Sequence, residues 1–150
     1  MALKLSTGLQ KQWLNSGFKP AFDSTGVISL YTGTQPTHAD DAPNSLGAVT
    51  LLGTFTLSST SFASASGSGP SAVEIDANGI TSIASAAASG TAAWFRMQLS
   101  ADQGAGSSTT ALRLDGDCGT SSGIMSFDST SITSGQVVAC NSCKFFMPAF

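Results

Sequence analysis

Charged side chains are scarce in this chain. Its 150 residues hold 6 Lys and Arg and 9 Asp and Glu, 10% in all, where about a quarter is usual for a soluble domain. The six basic residues are scattered from Lys4 to Lys144 and the net charge is −3. Neutralising phosphates takes clustered Lys and Arg, so nucleic acid is excluded as a main partner. Histidine is limited to His38 and cysteine to three residues, which starves both acid–base catalysis and structural zinc, a four-ligand site. No apolar run approaches the length of a membrane span, so no membrane association is expected. Behind Met1-Ala2-Leu3-Lys4-Leu5 the chain turns at once to Ser6-Thr7-Gly8. That is no secretory signal, and the protein is expected to be made in a cytoplasm and to stay there until something carries it out.

The missing charge is replaced by 25 Ser, 16 Thr and 16 Gly. Hydroxyls and glycine keep a surface wet, yet need no charge desolvated when another surface closes on them. Such a composition suits a protein that lives against other proteins, or a secreted adhesin-like module. The 41% of hydrophobic residues suffice for one core at this length. The reading is one domain over residues 1–150, with a helical N-terminal arm over 1–22 and a β-sandwich over 27–150.

In the arm, Ser6 or Thr7 can cap a short helix over residues 9–16, Gly17 suits the left-handed position that ends it, and a further helical turn fits around Pro20. From Val27 onward the period is two. Residues 27–31 read as a strand buried on both faces. Residues 51–57 alternate in part, with Phe55 and Leu57 opposite Thr54 and Thr56. Residues 92–99 alternate most clearly, with Ala93, Phe95, Met97 and Leu99 on one face and Trp94, Arg96 and Gln98 on the other. Residues 73–76 and 79–83 flank Asp76-Ala77-Asn78-Gly79, turn chemistry that predicts a hairpin. A strand over 110–114 is expected to end at Asp115-Gly116. Shorter strands are expected over 124–127, 136–140 and 144–147, and residues 58–71 read as a Ser/Ala/Gly-rich loop around a short strand at Phe62. Eight or so short strands with turns between them predict an all-β fold, an antiparallel β-sandwich or jelly roll with a short N-terminal helix.

Several motifs imitate active sites. Gly119-Thr120-Ser121-Ser122-Gly123 matches the nucleophile elbow, but the one histidine lies upstream and no helical pattern follows. Gly67-Ser68-Gly69-Pro70-Ser71-Ala72 imitates a dinucleotide loop without the βαβ frame. His38 with Asp40 and Asp41 has metal-ligand chemistry, but reads better as a solvated turn after Pro36. Asp115-Gly116-Asp117 is a fragment of a calcium loop lacking its closing Glu. Cys140-Asn141-Ser142-Cys143 has CxxC spacing without the helix that would activate it. With Cys118 it reads as buried thiols, and three disulfide pairings stay open. The expectation is no catalytic residue, no cofactor and no metal.

Large apolar residues crowd both ends. Trp13 and Phe18 either pack on the domain's own core or dock on a neighbour. Phe145 and Phe146 are adjacent and so point to opposite sides of a strand, with Phe150 close behind. Excess aromatic surface marks contacts, so the candidate interface is Trp13, Leu14, Phe18, Phe22, Phe145, Phe146 and Phe150.

Ile28-Ser29-Leu30-Tyr31-Thr32-Gly33-Thr34-Gln35-Pro36, Ala39-Asp40-Asp41-Ala42-Pro43 and Leu51-Leu52-Gly53-Thr54-Phe55 together resemble small virion structural proteins of tailed bacteriophages. The likeness includes Leu5-Ser6-Thr7-Gly8-Leu9. It resumes at Gly90-Thr91-Ala92-Ala93-Trp94-Phe95-Arg96 and Arg113-Leu114-Asp115-Gly116, and runs on through Gly119-Thr120-Ser121 and Ser129-Thr130-Ser131-Ile132 to the last strand. It covers most of the chain, is weakest over residues 58–88, and has no counterpart for the three cysteines. What it implies is a non-enzymatic virion component. The first expectation is a head decoration, or cement, protein that forms homo-oligomeric contacts and clamps the major capsid protein. A tail, collar or fibre-attachment protein is the alternative, and a host-surface glycan binder a further one.

Overall fold

The computed structural model describes residues 4–7, 9, 17–23, 25–63, 73–76, 79–102 and 104–147, with the backbone alone for Leu5, residues 73–76, Phe146 and Met147. Trp13, Leu14 and Phe150, the side chain of Phe146 and most of the helix expected over 9–16 therefore lie outside the described residues. Gly17 has the expected left-handed backbone, φ +86°. One turn of helix follows, α1 (Lys19–Phe22), with Pro20 in its first turn, where a missing N–H costs nothing.

The rest is β. In chain order the strands are β1 (Lys4–Leu5), β2 (Gly26–Tyr31), β3 (Leu51–Leu57), β4 (Val73–Asp76), β5 (Ile80–Thr81), β6 (Gly90–Thr91), β7 (Trp94–Leu99), β8 (Arg113–Gly119), β9 (Met125–Ser126), β10 (Ser131–Ile132) and β11 (Ser142–Met147). Nine of them form one sheet in the order β4-β11-β9-β8-β7-β2-β3-β5, with β1 added beside β8, and β6 and β10 pair separately. The sheet curls so that β11 faces β7 across the core. Phe145 on β11 lies 6.4 Å from Phe95 on β7, 5.5 Å from Phe18 and 6.2 Å from Phe62 between ring centroids. The fold is all-β and sandwich-like, as the spacing of strands and turns predicts.

Alternation decides what faces inward. Ile28, Leu30, Phe55, Phe95, Met97 and Leu114 line the concave side with Phe22, Phe62 and Phe127, all essentially excluded from solvent. Each such side chain contributes roughly 1.5–3 kcal/mol of burial. Gly116 sits under the Phe95 ring, and a Cβ there would lie 2.7 Å from its edge atoms. The glycine is thus a packing residue in mid-strand. The expectation that Asp115-Gly116 ends a strand is corrected: β8 runs on to Gly119, because Asp115 is used on one face and the bare Cα of Gly116 on the other.

Two further expectations change. β4 and β5 do not form a hairpin. β4 pairs with β11, Ile75 opposite Phe145, while β5 extends β3, Thr81 opposite Thr56, so the two flank opposite ends of the sheet. The local turn chemistry is outweighed by two long strands that each offer a free edge. The sheet also holds one parallel pair, Cys118 opposite Met125 and Gly119 opposite Ser126. Every other paired strand is antiparallel.

The aromatic ends are corrected too. Phe18 (8% exposed), Phe22 (0%) and Phe145 (5%) are core residues, clustered with Phe62 and Phe95. Because the sheet curls, the inward face of its last strand meets the N-terminal turn instead of facing out. These three cannot form an interface without opening the core.

Candidate functional site

The convex side of the central strands carries the unusual chemistry. Cross-strand register places Thr54, Ser29, Arg96, Asp115 and Lys4 in one row across β3, β2, β7, β8 and β1. A second row holds Val27, Gln98 and Arg113, and a third Leu51, Tyr31, Trp94 and Asp117. These residues share the face that the alternation in β7 points away from the core.

Half of this face is covered, and the covering is ionic. Arg96 and Asp115 are fully buried. Nε and Nη2 of Arg96 each donate to a carboxylate oxygen of Asp115 at 2.7 Å, and Nη1 donates to the Asp41 carbonyl at 2.9 Å. The guanidinium carbon lies 5.7 Å from the centre of the Trp94 ring, which stacks on Tyr31 at 4.6 Å. Arg113, 2% exposed, makes the same two-pronged contact with Asp102 at 2.6 and 2.8 Å, and donates to the Gly106 carbonyl. Planar guanidinium matched to carboxylate is the geometry in which an ion pair survives burial.

The N-terminal segment and the loop after β2 close over this layer. Ser6 is wholly buried. Its N–H donates to the Arg113 carbonyl and its Oγ to that of Ala111, and the same Oγ accepts from the N–H groups of Arg113 and Leu9. Thr7 donates from N and Oγ1 to the Asp40 carboxylate at 2.8 and 2.5 Å, and Lys4 Nζ donates to the Pro36 carbonyl. Residues 4–7 and Leu9 therefore form a structural strap, with Leu9 at 0% exposure.

The environment moves the titrating groups in opposite directions. The hydrogen bonds from Arg113, with help from the Gly104 N–H, hold the Asp102 carboxyl below its usual range. Burial pushes Asp115 up, against the pull of Arg96, and burial likewise raises the Tyr31 phenol.

Among the described residues the motifs singled out from sequence do not converge, and the loop from Gly67 to Ala72 lies outside those residues. Ser121 is exposed in a turn. His38 is exposed, its N–H donating to Asp41 Oδ2, while Asp40 is taken up by Thr7, so these three side chains fix a loop. Asp117 accepts from the Ile124 N–H. All three cysteines are free thiols, with Cys143 in the core. Burial raises the Cys118 thiol and pushes Cys140 up to about 11, so neither supplies a thiolate near neutral pH. What sequence reasoning missed is the pairing of both arginines. The available signal was that Arg96 and Arg113, the only arginines, each sit inside a strand of a chain that otherwise avoids charge.

Beyond the ionic half the same face stays open. Thr54 and Leu51 of β3 are exposed there, Leu51 at 42%, and a cavity of about 250 Å³ opens between β3, β2 and the end of β7. No family model, no curated protein and no solved structure matches this chain.

Proposed function

We propose that this protein is a non-enzymatic structural component of a tailed-phage virion, in first place a decoration protein that seats on the major capsid lattice. The observation that carries the reading is where the charge goes. Among the described residues 47 are exposed; 27 of these are Ser or Thr, and Asp128 alone is charged. The arginines and their partners are turned inward, so the outer surface of the described residues is more neutral than the composition. A neutral hydroxyl surface neither repels further copies nor needs ions stripped of water on contact. The resemblance of the strand and loop segments to virion proteins points the same way.

The contact surface is then the hydroxyl-rich exterior with its few exposed apolar residues, Leu46, Leu51 and Val137, in place of the buried Phe18, Phe22 and Phe145. Weak contacts of this kind hold firmly when repeated over a lattice. Quantitative mass spectrometry of purified particles tests this. Hundreds of copies per particle are expected for a decoration protein. Tens or fewer would move it to the tail or collar, and absence from particles would overturn the reading.

A further inference from the structure

We propose that the open half of the sheet's convex face binds a neutral saccharide unit, one uncharged pyranose ring or the end of a longer chain. The cavity there, about 250 Å³, is of a size for one ring and too small for a folded partner's side-chain cluster. Its base is formed by Ser29, Tyr31 and Gln98, and its polar lip by Thr54, Ser100 and Asp102. Val27 and Leu51 complete it on the apolar side. That division, hydroxyls and carbonyls facing one way and aliphatic carbon the other, matches a sugar ring, whose edge is polar and whose face is not.

Two features select against other ligands. First, no Lys, Arg or His lines the cavity among the described residues. The nearest guanidinium, Arg113, already has two prongs on Asp102, so a phosphate or carboxylate would find no free cation. Second, Gln98 is 4% exposed and spent on the fold, its Nε2 donating to the Asp102 carbonyl and its Oε1 buried against Gly104, so the cavity offers hydroxyls and no free amide. Ser29, Tyr31, Thr54 and Ser100 add hydroxyls that both donate and accept, the pairing that a polyol requires. The ion-paired layer next door keeps the base rigid, since Gln98 lies in register with Arg113 and Ser29 with Arg96. The proposal does not rest on the lattice role: it concerns the free chain, in which Leu51 is exposed at the rim of the cavity.

Saturation-transfer NMR on the full chain tests it, using methyl glycosides of glucose, galactose, mannose and N-acetylglucosamine, with glucose 6-phosphate as the anionic probe. At least one neutral glycoside should bind with a Kd of about 1 mM, the strength about a dozen ligand atoms can reach. Thr54→Trp fills the cavity from an exposed position and should weaken binding at least about tenfold, a loss well outside error. Ser100→Trp, from the other lip, is the second blocking variant should Thr54→Trp fail to fold. The phosphorylated sugar should bind no tighter than glucose. Absence of transfer from every neutral glycoside, transfer undiminished in the folded blocking variants, or preference for the anionic probe would each overturn the assignment.

Discussion

The two faces of the β3-β2-β7-β8 sheet solve burial differently. The concave face is hydrocarbon: Ile28, Leu30, Phe55, Phe95, Met97 and Leu114 pack against one another and against the aromatic cluster of Phe18, Phe62 and Phe145. The convex face is as dry over β7 and β8, yet it holds two ion pairs, with Arg96, Arg113 and Asp115 all at 2% exposure or less. Apolar packing is tolerant of direction. A bidentate ion pair is not, because either partner left alone is a buried charge. The apolar face therefore supplies most of the stability. The ionic face fixes which segments may cover it: the strap of residues 4–7 and Leu9, and the loops that carry Asp41, Asp102 and Gly106.

The largest effects should come in a matched pair, one from each face. Phe95→Ala, which empties the centre of the core, should cost about 3–5 kcal/mol in chemical denaturation. Arg96→Met should cost a similar amount, about 3–5 kcal/mol, by leaving Asp115 buried and unpaired. The comparison sharpens in the double variant. Arg96→Met with Asp115→Leu should be more stable than Arg96→Met alone, because the stranded carboxylate is gone. If the double variant loses the sum of the two single effects, the pair is not acting as a unit.

Much of this was legible in the amino-acid sequence, and the failures share a cause. The alternation of residues 51–57 and 92–99 is a local signal, and it places Phe55, Phe95 and Met97 in the core. Which edge a short strand joins is not local, so the Asp76–Gly79 turn misdirects β4 and β5. The terminal aromatics misled for the same reason: with an open sandwich in mind Phe18 and Phe145 are surplus, and only the curl of the sheet brings them within 5.5 Å. The ionic face was half legible. Trp94, Arg96 and Gln98 are correctly assigned to the face opposite Phe95, but that this face is covered depends on Ser6 meeting Arg113 across 107 positions.

A middle-sized effect belongs to that strap. Ser6→Ala removes an acceptor for two N–H groups and a donor to the Ala111 carbonyl. It should cost about 1–3 kcal/mol and accelerate hydrogen exchange along β1 and β8, while leaving β3 protected. Exchange that rises equally on both faces would mean that the strap does not belong to the ionic layer.

The smallest effect is in pH dependence, and its sign distinguishes the two carboxylates. Asp102 is held below its ordinary 3.8, so its ionised form favours the fold; that stability is present above about pH 4 and is lost as pH falls through the folded value. Asp115 is raised above 3.8 by burial, so its contribution is present below that value and is lost as pH rises through the folded one. Asp102→Asn should therefore lower Tm at neutral pH, and the gap to the natural protein should close below about pH 4. A gap that widens in acid would reverse the assignment.

The central claim is that charge is turned inward so that the exterior can meet other proteins without it. It is tested most directly by the occupancy of the protein on purified particles as salt is raised from about 50 mM to about 1 M, where the screening length falls to about 3 Å. Occupancy that stays constant or rises is the predicted result. Progressive release with salt would show that the contact is made by charge, and would contradict the account.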